Sequence, residues 1–248
     1  MEYETMLTQA ISPTESDQSS SEMVKIIDLW KIYRSGATEF AALRGITTSI
    51  LRGEFVSVVG PSGSGKSTLL NLIGALDRPT RGEIFLDGTK LSELKENKLA
   101  ELRGKKMGFI FQSYNLVPYL SAIENVELPF AILGVSSSER REKAMNILRM
   151  VGLENNANKK PNMLSGGEGQ RVAISRALAN NPSIILADEP TGNLDSKSAQ
   201  NVVSILKQFN EERNMTILMV THNLEIANFS TRIIYMRDGI IERDVKRE

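Results

Sequence analysis

An α/β fold is predicted for this chain, with a mainly parallel sheet covered on both faces and a helical subdomain inserted into it. Three features of the 248-residue sequence lead there. The runs MGFIF, SIILADE and TILMVT are short and almost continuously apolar, as strands buried on both faces should be. They alternate with segments of helical period. A glycine-rich run joins one strand directly to a helix.

Residues 1–22 are rich in Ser, Thr, Gln and Glu without apolar period, so a disordered acidic extension is expected there. Residues 23–248 are expected to form one domain. VKIIDLWKIY, GITTSIL and GEFVSVVG read as strands, the last entering the glycine run. TLLNLIGAL is helical, GEIFLDG a short strand, LSELKENKLAELRG an exposed helix and MGFIF a buried strand. In ERREKAMNILRMVG, Ala144, Ile147, Leu148 and Val151 share one helical face. The helical subdomain is placed at about residues 113–170, inside the α/β core. SIILADE resumes that core. The helix SKSAQNVVSILKQFNEERN follows, with Val202, Ile205, Leu206 and Phe209 on one face. TILMVT and RIIYMRDGIIERD supply the closing strands, and no internal repeat is visible.

Basic and acidic residues number 30 each, so no overall field draws the chain to nucleic acid or to a membrane surface. Glu2, Glu4, Glu15, Asp17 and Glu22 precede the first base, which leaves the remainder modestly basic. The absence of cysteine excludes disulfides and thiolate metal sites. No apolar run approaches the ~20 residues of a membrane span. No basic-then-apolar leader is seen at the start, so a soluble intracellular protein is expected.

The run GPSGSGKST comprises Gly60, Pro61, Ser62, Gly63, Ser64, Gly65, Lys66, Ser67 and Thr68. It matches the phosphate-loop pattern, with a strand before it and a helix after it. Gly63 and Gly65 let the backbone N–H groups turn toward phosphates. Lys66 brings a compact charge to the outer phosphates, and Ser67 a hydroxyl for Mg²⁺. SIILADE delivers Asp188 and Glu189 to a strand's C-terminal end, where open α/β sheets bind ligands. Asp188 suits Mg²⁺, and Glu189 suits a general base polarising water. His222, the sole histidine, follows TILMVT. It is placed to donate to the γ-phosphate and to hold Glu189 and the water in line. Gln112 follows MGFIF and offers an amide oxygen near the metal and the water. Tyr33, 27 residues before Gly60, is an aromatic able to stack on a purine. LSGGEGQR contains Ser165, Gly166, Gly167 and Glu168, where two glycines open a helix whose N-terminal N–H groups attract anions.

Taken in order, Tyr33, GPSGSGKST, Gln112, LSGGEGQR, ILADE, Asp195 in GNLD and His222 resemble the ATP-binding subunits of ABC transporters over about residues 24–242. The resemblance implies a P-loop NTPase core with an antiparallel β portion, binding ATP and Mg²⁺. It implies a head-to-tail dimer in which Ser165 and Gly167 of one copy grip the γ-phosphate of ATP on the other's phosphate loop. Asp195 is then the link between the two sites, and an integral membrane, permease-like subunit is the further partner. The expected location is the cytoplasmic face of the cell membrane, through that partner, with no nucleic acid involved. ALRGITTSILRGE, GALDRPTRGEI and GFIFQSYNLVPYLSAIENVELP look most like the lipoprotein-release and macrolide-export branch, and residues 114–120 would lie where the membrane partner docks. An ATP-driven regulatory module that moves a membrane partner without transport is the alternative. A guanine-nucleotide enzyme is disfavoured, because the run NKKP at residues 158–161 lacks the acid that reads guanine. One departure stands out: Gly169 occupies a position where family members commonly carry glutamine.

Overall fold

The computed structural model describes residues 22–36 and 38–247, so residues 1–21 of the expected acidic extension lie outside the described part, while Glu22, its last residue, belongs to the first strand. Ten strands and seven α-helices are found among the described residues. Two 14-residue strands, β1 (Glu22–Ser35) and β2 (Thr38–Leu51), pair antiparallel. Strand β4 (Arg81–Leu86) runs antiparallel along the other edge of β1, followed by β5 (Thr89–Lys90). The order is β2-β1-β4-β5. Asp87 and Gly88 join β4 to β5 with φ of +51° and +73°, the two left-handed residues that a tight hairpin requires.

The second sheet has the order β10-β9-β3-β8-β7-β6. Strands β3 (Phe55–Val59), β6 (Met107–Phe111), β7 (Ile184–Asp188), β8 (Thr216–Thr221) and β9 (Arg232–Arg237) are mutually parallel. The edge strand β10 (Ile240–Lys246) returns antiparallel after Asp238 and Gly239, again both left-handed. Alternate residues of one strand feed different cores. Ile185, Ala187, Ile217 and Met219 pack into one apolar cluster, whereas Ile184, Leu186, Leu218 and Val220 pack into another. That double burial is why these strands read as continuous apolar runs rather than alternating ones.

One face is covered by the antiparallel sheet and by α1 (Lys66–Ile73), whose Leu69, Leu70, Leu72 and Ile73 are buried there. Helix α1 stops at Gly74, short of the predicted TLLNLIGAL. The predicted exposed helix divides into a 3-10 turn (Leu91–Glu93) and α2 (Glu96–Lys106), because Leu94 and Lys95 are extended.

Between β6 and β7 the described chain forms only helices: α3 (Ala122–Ile132), α4 (Ser137–Met150), two 3-10 turns and α5 (Gly166–Leu178). The α4 face foreseen from spacing is buried, with Ala144 and Leu148 fully so. Helix α6 (Ser196–Arg213) buries Val202, Leu206 and Phe209 against the same cluster, with Ile205 partly covered, and α7 (Leu224–Ala227) is a single turn.

Candidate active site

Register alone gathers the site. Val59 pairs with Thr221, while Asp188 pairs with both Val220 and Phe111, so four neighbouring strands end nearly abreast. The residues that follow, Gly60, His222, Glu189 and Gln112, therefore share the C-terminal edge of the parallel sheet, the ligand-binding edge of open α/β folds.

The loop after β3 cannot carry larger side chains at two points. A Cβ on Gly60 would stand 2.1 Å from the Met236 carbonyl oxygen, and one on Gly65 2.5 Å from that of Ala42. Gly63 and Gly65 also adopt φ of +80° and +99°. Gly65 caps α1 without a side chain, so the first-turn N–H groups are left for an anion. Lys66 is buried and folds back, its Nζ donating to the carbonyls of Gly60 (2.8 Å) and Pro61 (3.0 Å). Ser64 Oγ is buried and has no partner within the described protein.

Ser67 Oγ donates to Asp188 Oδ1 at 2.9 Å. Burial pushes the Asp188 carboxyl above the ordinary range and the Glu189 charge adds to this, while the Ser67 hydrogen bond and Lys66 oppose it. Glu189 has φ +45°, a left-handed conformation that costs a side-chain-bearing residue ~1 kcal/mol or more. One carboxylate oxygen, Oε1, meets His222 Nδ1 at 3.0 Å, while Oε2 is buried and unpartnered. Gln112 is held by a reciprocal amide pair: its Nε2 donates to Asn193 Oδ1 (3.2 Å), and Asn193 Nδ2 donates to the Gln112 carbonyl (3.1 Å). Gly192 leaves room for it, since a Cβ there would come within 2.7 Å of Gln112 Nε2 and push the amide aside.

A cavity of about 630 Å³ is lined by Tyr33, Phe40, Ala42, residues 62–68, Gln112, Glu189 and His222. Phe40 and Ala42 escaped the sequence reading. Phe40 faces Tyr33 only because β1 and β2 pair in that register, and the signal lies in the strand pairing rather than in any motif. Ser165, Gly166, Gly167, Glu168 and Asp195 form no part of that lining.

Those residues are built around two helix starts. Ser165 caps α5: its Oγ accepts from Glu168 N (3.3 Å), and Glu168 Oε2 accepts from Ser165 N (2.7 Å). This capping box, helped by Asn156, holds the Glu168 carboxyl below its ordinary range. Asp195 caps α6 by accepting from Ser198 N at 3.0 Å, and the Ser198 side chain and amide keep it likewise low. The two starts touch, for a Cβ on Gly167 would lie 3.2 Å from Ser198 Oγ.

A family model described as "ABC transporter" matches residues 43–192. The chain belongs to the ABC transporter family. MJ0796 of Methanocaldococcus jannaschii, an ABC transporter ATP-binding protein, is 52% identical over 228 residues, covering 90% of this chain and 97% of that protein. The macrolide export ATP-binding/permease protein MacB of Syntrophobacter fumaroxidans is 45% identical over 89% of this chain, which spans 31% of it. The fold matches a dimeric structure of MJ0796 with a TM-score of 0.85 at 50% identity, covering 91% of this chain and 99% of that one. A second MJ0796 dimer, a post-hydrolysis state bound to ADP and Pi, matches with the same TM-score. This ABC protein is an α/β P-loop ATPase, and the antiparallel sheet expected from the resemblance is present. Among its described residues no helix is long and apolar enough to cross a membrane.

Proposed function

We propose that this ABC ATPase is the Mg-ATP-hydrolysing subunit of a membrane complex, closing head to tail on a second copy when ATP binds and reopening after hydrolysis. One observation carries the proposal. The cavity brings together a phosphate loop, Lys66, Ser67, Glu189 and His222, yet none of Ser165, Gly166, Gly167, Glu168 or Asp195 lines it. A site complete for binding phosphate but lacking its second anion-facing helix is what a two-copy sandwich needs. The dimeric MJ0796 cassettes support the same reading.

The donor set suits Mg²⁺, since Ser67 Oγ and Asp188 Oδ1 already meet and burial makes the uncompensated Asp188 carboxylate costly. Ser67, Asp188 and the Gln112 amide oxygen would hold the cation, which neutralises phosphate charge when bound. The Lys66 ammonium, now on two carbonyls of its own loop, exchanges them for phosphate oxygens. Glu189 accepts the proton of the attacking water, and His222 fixes the Glu189 carboxylate while presenting its other ring nitrogen to the γ-phosphate. Tyr33 stacks on the base.

The membrane partner docks beside the loop after Gln112. There Tyr119 and Ile132 are each 83% exposed, and Leu76, Phe109, Pro129, Ile132 and Leu133 line an apolar groove of about 480 Å³. In this reading the ABC ATPase works on the cytoplasmic face of a membrane, and the MacB relatives support an export or extraction role. Glu189→Gln is expected to lower turnover by ~10²–10⁴, the range of a lost general base. Size-exclusion chromatography should find that variant dimeric in saturating Mg-ATP and monomeric in ADP. Normal turnover, or a monomer in Mg-ATP, would sink the proposal.

A further inference from the structure

Tyr33, 42% exposed as a residue, lines the nucleotide cavity, yet neither the hydroxyl nor one face of the ring is free. The hydroxyl donates to Asp77 Oδ2 at 3.0 Å. The Lys31 ammonium lies 4.8 Å from the ring centroid. It is itself fixed, donating to Asp77 Oδ1 (2.7 Å) and to the Arg78 carbonyl (2.8 Å). The Arg78 amide completes the set by donating to Asp77 Oδ1 at 2.7 Å. Burial alone would raise the Asp77 carboxyl, but donation from Lys31, the Arg78 amide and Tyr33 outweighs it and holds the group below its ordinary range.

We propose that Asp77 and Lys31 are positioning residues for the nucleotide base, locking the Tyr33 ring so that one open face meets it. This rests on the reading of Tyr33 as the base platform. The physical need is simple. An exposed aromatic on a strand samples several side-chain rotamers, and ordering it on binding costs affinity. A charge-assisted hydrogen bond at the far end of the ring removes that freedom before the base arrives. The lysine closes one face by a cation–π contact, which leaves the opposite face for stacking. Asp77 follows the helix that the phosphate loop opens, so one short stretch of chain sets both the phosphate cradle and the angle of the base platform.

The rival role is a plain staple between β1 and the segment after α1, and a ligand without a base separates the two. Mg-ADP and Mg-pyrophosphate are titrated calorimetrically into the full chain and its Tyr33→Phe, Asp77→Ala and Tyr33→Ala variants. Tyr33→Phe keeps the ring and removes the Asp77 tether together with the Thr68 hydrogen bond to the same hydroxyl, whereas Asp77→Ala removes the tether and spares that bond. Positioning predicts that Tyr33→Phe and Asp77→Ala weaken Mg-ADP roughly three- to tenfold, in line with the cost of ordering one free side chain on binding. Their affinity for Mg-pyrophosphate should not change, and Tyr33→Ala should lose at least as much Mg-ADP affinity as either. If both tether variants bind Mg-ADP like the parent while Tyr33→Ala does not, positioning is overturned and the platform survives. Equal losses for Mg-ADP and Mg-pyrophosphate also overturn it, in favour of the staple. If Tyr33→Ala binds Mg-ADP normally, the platform reading itself fails and positioning falls with it.

Discussion

Gly169 lies buried in the first turns of α5 because an aromatic ring fills the space its side chain would need. A Cβ there would stand 3.2 Å from Tyr114 Cδ2 and 3.5 Å from Cε2. Glycine in a helix interior costs ~1 kcal/mol against alanine, so the ring contact is set against a real loss. The Tyr114 backbone is not free to retreat. It is left-handed at φ +61°, and the Arg176 guanidinium donates to its carbonyl at 2.8 Å. The glutamine expected from the family resemblance would therefore compete with Tyr114 for one volume. Gly169→Gln should destabilise the fold by ~1–3 kcal/mol, the usual cost of overpacking. Tyr114→Ala opens a gap of its own, but the double variant should recover at least ~1 kcal/mol relative to the sum of the two. Urea unfolding of all four proteins measures this coupling, and strictly additive losses would show that the ring and residue 169 do not compete.

At the scale of elements, the start of α5 serves two roles that can be separated. Ser165 satisfies a helix N–H through its Oγ as an acceptor, and its hydroxyl proton remains available to a phosphate oxygen. Asparagine caps a helix about as well as serine but offers a bulkier amide in place of the hydroxyl. Ser165→Asn should thus melt close to the parent while ATPase activity falls at least ~10-fold, and Ser165→Ala should lose ~1 kcal/mol of stability as well. Thermal melts beside phosphate-release assays decide this, and an active Ser165→Asn would remove the hydroxyl from the mechanism. The elements themselves were legible to the extent that burial writes a pattern into them. The parallel strands were visible because both faces are apolar, and α4 and α6 because one face is. The two-residue strand β5 is too short to show any period, although the Asp87–Gly88 pair before it is a hairpin signal. The break after Glu93 was hidden because the mixed Leu, Glu and Lys sequence favours helix throughout, while Leu94 is drawn into the apolar core from an extended backbone.

At the scale of the molecule, the cavity residues at the sheet edge were readable because each follows a strand, and parallel strands in register end together. Asp77, Asn193 and Phe40 were not, since each acts through a partner 44, 81 or 7 residues distant that only the folded sheets bring near. The distribution of chemistry over one chain then has a consequence for two. Lys66 lines the cavity and Ser165 does not, so an ATP site built head to tail takes its lysine from one copy and its serine from the other. Lys66→Ala leaves the α5 start intact, and Ser165→Asn leaves the phosphate loop intact, yet each homodimer has two damaged sites. In a mixed dimer with two-fold symmetry both lesions fall in the same site and the other site is whole. Equal mixing places about half the molecules in such pairs, so about a quarter of the parental sites return. Phosphate release from the mixture should rise well above the mean of the two variants, and further as the mixing ratio approaches one. A mixture that never exceeds that mean would mean that each chain completes its site alone, and the sandwich would have to be given up.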